Sequence, residues 1–428
     1  MRYIYTLVDI NMRIFYLPSF LLFFSITSLM AQPINEVPPP YNIKTVSFVQ
    51  GSENSIPIFQ LGDSFQLQFD DLFGNEANYY YEITHCDYNW VPTNIPKNEY
   101  LQGFDGQRIV DYSNSFNTLQ LYSHYKLTIP NQFSRLTITG NYIIAILDEE
   151  KQLVFSRKFT IYEPIVTVTL VIKRARTVAN LDSNHNIELN ISSNSIVFKN
   201  PRKNVKIVLL QNGQWNNAIK NVPPQYTIGN DLIYKYDTET QFWAGNEFLY
   251  FDNKDIKSAT NYISRVDPSN AIYSSYLYTN SAKANLPYVT SQDVNGNFVV
   301  RNLNRTNGAI EADYAWVYFS LSAPTFMSKK EIYITGMFNN YSMTPEYKMD
   351  FDIKRGIFEK AVLIKQGFVN YQYLVADSNG IIDSKNAIDG NFFQTENQYS
   401  ALIYYKEDSD RYYRVIGFAN ASSLNVIN

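Results

Sequence analysis

Residues Gly140–Ile161 run GNYIIAILDEEKQLVFSRKFTI, two apolar stretches around a short charged one. Gly140–Leu147 and Leu153–Ile161 have strand length and are rich in β-branched and aromatic residues. Asp148–Lys151 between them is turn-like, so the segment predicts a β-hairpin. The same signal recurs in both directions. Upstream, Ile43–Val49 (IKTVSFV) and Phe65–Phe69 (FQLQF) alternate, which puts Phe65, Leu67 and Phe69 on one face, and Tyr79–His85 is a further candidate strand. Downstream come Ile165–Lys173, Ile187–Ile191, Val205–Gln211, Leu232–Tyr236, Phe248–Asp252, Tyr273–Tyr278 and Phe298–Leu303. Then follow Tyr314–Leu321, Glu331–Phe338, Gly356–Leu363, Asn370–Val375 and Ser400–Tyr405. No segment keeps a helical period. The expected fold is all-β, a tandem of immunoglobulin-like β-sandwich domains.

A chain of 428 residues exceeds what one hydrophobic core usually holds, so three domains are expected. Polar, proline-rich residues 32–40 (QPINEVPPP) form a lead-in. Glu163-Pro164 and the turn-rich Arg305–Gly308 mark boundaries. These give an N-terminal sandwich over 41–163, a middle sandwich over 164–308 and a C-terminal immunoglobulin-like domain over 309–428. Residues 1–31 have the pattern of a secretory signal peptide, with Met12 as a possible true start. Arg13 precedes an apolar run from Ile14 to Phe24, and Ala31 ends the segment. Gln32 follows, not the cysteine a bacterial lipid anchor requires. No later stretch approaches a membrane-spanning length.

The net charge of −4 provides no basic field for nucleic acid. One cysteine, Cys86, excludes a disulfide within the chain, and His85, His124 and His185 lack the spacing of a metal-ligand pair. No catalytic motif stands out, so neither enzymatic activity nor a cofactor is expected. His85-Cys86-Asp87 sets a thiol beside an imidazole, but adjacent strand residues point to opposite faces.

Aromatic residues make up 16% of the chain, including 35 tyrosines and 28 phenylalanines, a composition that suits both sheets and binding surfaces. They concentrate in His85–Phe104 (HCDYNWVPTNIPKNEYLQGF) and in Tyr234–Asp252 (YKYDTETQFWAGNEFLYFD). Tyr88, Trp90, Tyr100, Phe104, Phe242 and Trp243 are therefore the candidate partner-binding residues.

Glu331–Tyr341 (EIYITGMFNNY) resembles the immunoglobulin-like carbohydrate-binding module that precedes starch- and glycogen-processing domains, with Tyr341 where that family has Trp. The alternative function it implies is a glycan-binding envelope protein of a polysaccharide-uptake system. A longer resemblance runs through YYYEITHCDYNW (79–90), EYLQGF (99–104), NSFNTLQLYSHYKLTIPN (114–131), GNYIIAI (140–146), Tyr234–Asp252 and GMFNNY (336–341). In this order the stretches resemble the plug protein family of the type IX secretion system of Bacteroidetes. That resemblance implies a non-enzymatic periplasmic protein, without a membrane span of its own. It would seal the periplasmic opening of a large outer-membrane β-barrel translocon, its partner.

Overall fold

The computed structural model describes residues 32–324, 327, 329–424 and 426. The signal-peptide reading falls on residues 1–31, outside the described part. The chain is almost entirely β, and the α-helices among the described residues are four residues long.

The hairpin expected from Gly140–Ile161 forms with Gly140 opposite Ile161 and Ile146 opposite Phe155. It lies in a five-stranded sheet ordered Ile58–Gln60, Leu153–Tyr162, Gly140–Leu147, Tyr80–Cys86, Gln107–Arg108. Against it packs a second sheet ordered Glu53–Asn54, Ile43–Gln50, Phe65–Asp71, Ser123–Ile129, Asp111–Asn114. Phe65, Leu67 and Phe69 all face the core between the two sheets, as the alternation requires. Aromatic rings dominate that core: Phe59 stacks on Phe65 at 4.1 Å and Tyr142 on Phe159 at 5.4 Å. Each such ring contributes about 1.5–3 kcal/mol by leaving water.

The first sandwich ends at Tyr162 and the next strand begins at Thr167. The second sandwich opposes two sheets. One is Thr167–Arg174, Asn184–Ser192, Asp231–Tyr234, Tyr226–Ile228, with Gln241–Trp243 also paired to Asn184–Ser192. The other is Gln214–Lys220, Val205–Gln211, Gln398–Tyr405, Arg414–Ser422. Their core joins Ile187, Leu189 and Tyr234 with Tyr399, Ile403 and Ile416. The third sandwich lies between these two parts of the chain. Its strands run from Leu249–Asp252 to Gly367–Ala376, around a core that includes Phe251, Phe319, Val362 and Tyr371.

The sheets therefore do not divide the chain at residue 308. Strands that pair across a long separation, Val205 with Tyr405 and Gln211 with Tyr399, complete the second sandwich. The third sandwich is an insertion into it. The insertion leaves and rejoins at one place, where Asn397 Nδ2 donates to Ala244 O at 2.8 Å. Periodicity reports which residues are strands but carries no record of distant pairing. Among the described residues no helix is long and apolar enough to cross a membrane.

Candidate functional site

The loop after Tyr80–Cys86 turns on Asp87, whose carboxylate accepts from Asn89 N (2.8 Å) and Val91 N (2.9 Å). The carboxylate thus adds to the backbone bonds of the turn, Trp90 N to Asp87 O at 3.0 Å and Asp87 N to Val91 O at 2.8 Å. The turn drives Trp90 inward. Its ring is buried with Cys86 and Ile143 and meets Trp215 of the second sandwich edge-on, 4.8 Å between centroids. Tyr88 packs beside Tyr404 and Tyr413 in the same junction. Tyr100 is buried in the first core and Phe242 in the second. Trp243 is half-buried, and its carbonyl accepts from Gln211 Nε2 at 3.0 Å. Of the six expected contact residues only Phe104, 70% exposed, stands clear on the surface. Trp90, Tyr100 and Phe242 are enclosed, Trp90 at a junction and the other two in sandwich cores, because a large ring is more stable there than in water. The two aromatic loops do not meet in one surface; the first mainly cements the chain to itself.

A different surface comes forward at the far end of the first sandwich. The loop 115–121 exposes Phe116 (63%), Leu119 (56%) and Leu121 (62%). Phe73, 69% exposed, lies beside them: Gly74 is so close to Leu121 that an added Cβ would sit 3.4 Å from its Cβ. The loop is clamped to the third sandwich. Phe116 N donates to Ile310 O at 2.8 Å, Leu119 N and Gln120 N donate to the Asp313 carboxylate at 2.7 and 3.1 Å, and the Tyr122 hydroxyl donates to Ala312 O at 2.8 Å. Four exposed apolar side chains thus stand on a backbone already fixed by hydrogen bonds, an arrangement that would need little ordering on binding. Phe104 is not part of it. It is hydrogen-bonded to Phe133, past the opposite end of strand Ser123–Ile129, about 20 Å away by the rise of seven residues. The sequence signal was NSFNTLQLY itself, apolar residues in a polar loop with neither strand nor helix period.

Behind this loop the first and third sandwiches meet on a buried ion pair. Asp70 and the Lys365 ammonium lie 2.6 Å apart, both side chains almost without solvent contact. Asp70 also accepts from Tyr314 at 2.6 Å and contacts His124 Nδ1 at 2.6 Å. Burial alone would raise the Asp70 carboxyl, but Lys365 and His124 hold it below the ordinary range. Burial lowers Lys365, and Asp70 opposes that.

The groups with chemical potential are otherwise quiet. Burial pushes the Cys86 thiol up to about 12, with the Asp87 charge adding to it, and lowers His85 to about 4. His85 bonds Thr93 Oγ1 at 2.7 Å and the Thr139 carbonyl at 3.3 Å. Among the described residues no three His, Cys, Asp or Glu side chains are grouped to hold a metal. Tyr341, at the sugar-stacking position of the carbohydrate module, turns its hydroxyl to Asn212 O of the second sandwich at 3.3 Å.

Residues 43–163 match the family described as "Type 9 secretion system plug protein 1st domain". The whole fold resembles a crystal structure of a hypothetical protein from Parabacteroides merdae. That chain is 28% identical, the TM-score is 0.86, and the match covers 91% of this chain and all of the other. No curated protein matches.

Proposed function

From the premise that this chain belongs, through its first domain, to the type 9 secretion system plug protein family, we propose that it is a non-enzymatic periplasmic plug. It binds and seals the periplasmic opening of the outer-membrane translocon barrel of that system. The observation that carries this reading is the family match over residues 43–163. The geometry supports it in two ways. Three sandwiches joined by buried tryptophan and ion-pair contacts give a stiff stopper. The clamped loop with Phe116, Leu119 and Leu121, beside Phe73, offers apolar area whose burial contributes roughly 25 cal/mol per Å². We assign this loop the contact with the barrel. The protein would sit at the inner face of the outer membrane, held there by its partner.

The test is affinity purification of the tagged chain from detergent-solubilised outer membranes of its host, read by mass spectrometry. One very large β-barrel protein recovered in near-equal amount supports the reading. Recovery of the protein without any barrel, free or bound to polysaccharide, overturns it.

A further inference from the structure

Strand Leu153–Tyr162 alternates, and Phe155, Phe159 and Ile161 point into the core between the sheets of the first sandwich. By the two-residue period Arg157 points the same way. It is 6% exposed. Its one hydrogen bond within the described residues runs from Nη1 to the carbonyl of its neighbour Ser156, 3.1 Å, and it has no ion pair there. Glu36, whose charge acts on it, spends one carboxylate oxygen on Lys158 N (2.6 Å) and the other on Asn340 Nδ2 (2.7 Å). A guanidinium carries five N–H donors, and holding this one nearly out of water with one hydrogen bond and the Phe155 ring at 5.7 Å costs free energy while leaving donors turned to the cavity. Burial lowers its pKa in keeping with that cost.

Arg157 lines a cavity of about 540 Å³ where the three sandwiches and the lead-in meet. Such a volume suits a small organic molecule or a short peptide end. Phe48, Trp215, Phe298, Phe338 and Tyr347 contribute aromatic wall. The three lysines of its lining have partners: Lys44 pairs with Glu346 at 2.7 Å, Lys365 pairs with Asp70 at 2.6 Å, and Lys158 lies over the Trp90 ring at 4.9 Å. Arg157, a planar cation with the Phe155 ring 5.7 Å from its Cζ but no ion pair among the described residues, calls for one planar negative charge on an apolar body.

We propose that this cavity binds a carboxylate-bearing ligand, with Arg157 as its bidentate anchor. The carboxylate belongs either to a free organic acid or to the C-terminus of a peptide. The site is independent of the barrel-docking loop.

The test uses the mature chain and two probes, 4-iodobenzoate and acetyl-Ala-Ala-Phe, each also as its amide, by titration calorimetry. Iodobenzoate-soaked crystals locate the first by its anomalous signal. We expect at least one acid to bind with Kd below about 1 mM. Its amide binds at least about tenfold more weakly, and Arg157→Met loses the same factor, a difference of about 1.4 kcal/mol. Binding of iodobenzoate alone, with its anomalous peak in the cavity, marks a free acid; binding of the peptide alone marks a chain terminus. Arg157→Met without ligand should be at least as heat-stable as the parent, since it removes an unmatched charge. Two results overturn the proposal. One is neither acid binding, or acid and amide binding alike. The other is an Arg157→Met protein that is markedly less stable, which makes the arginine structural.

Discussion

Asp70 holds the Lys365 ammonium and the Tyr314 hydroxyl, both at 2.6 Å, where two sandwiches meet out of water. A buried pair contributes little net stability over an apolar replacement, yet breaking it strands a charge. Lys365→Met should therefore cost about 3–5 kcal/mol in urea denaturation, and adding Asp70→Asn should restore most of it. If the double variant is no better than the single one, Asp70 is satisfied without Lys365. His85 contributes to the pH response, as does His185, which burial also lowers. His85 is buried and neutral, with a folded pKa of about 4 against 6.5 for the free imidazole. In that window the unfolded chain binds a proton the folded chain does not. Stability from this site is complete above pH 6.5 and is lost as pH falls from 6.5 to about 4, about 3 kcal/mol in all. His85→Gln should reduce the slope of denaturation midpoints measured across that range, leaving the part due to His185. Trp90→Ala, which opens the Trp215 junction, should cost about 3–5 kcal/mol in the isolated protein.

At the scale of the element, loop 115–121 is held by groups other than the side chains proposed to meet the barrel. Its backbone bonds to Ile310 and Asp313 hold it, while Phe116, Leu119 and Leu121 stay largely in water. Replacing the three side chains with Ser should leave the melting temperature nearly unchanged, because exposed positions away from such bonds rarely change stability by more than about 0.5 kcal/mol. Capture of the barrel should fall at least about tenfold, the effect of a lost hot spot. Undiminished capture would move the contact elsewhere, and Phe104 at the opposite end would be next.

For the whole molecule, the insertion makes a prediction about cutting. A chain ending at residue 397 lacks two of the four strands in one sheet of the second sandwich, whose core includes Tyr399, Ile403 and Ile416. It should lose that sandwich and become sensitive to limited proteolysis after Pro164. Excising the third sandwich instead, with a short Gly-Ser bridge from Gly245 to Glu396, keeps both parts of the second, since their ends already meet at Ala244 and Asn397. That chain should resist protease across the second sandwich.

Local pattern alone determined that the described residues are almost entirely β. Gly140–Leu147 and Val205–Gln211 are strands with the bounds their composition implied, and the break after Tyr162 follows Glu163-Pro164. Alternation and proline act between neighbours, so they are written in the sequence. It also carried the family resemblance, which the match over residues 43–163 supports. The tertiary structure decided what contact alone decides. Gln398–Tyr405 returns to Val205–Gln211 across the expected boundary at 308. Trp90 is buried at a junction, while Phe116, in a loop of no recognisable period, stands in water. Arg157, indistinguishable in sequence from any strand arginine, lies against a cavity between sandwiches. Burial is set by which distant surfaces come together, and an aromatic side chain has the same composition signal whether it is covered by its own chain or left for a partner.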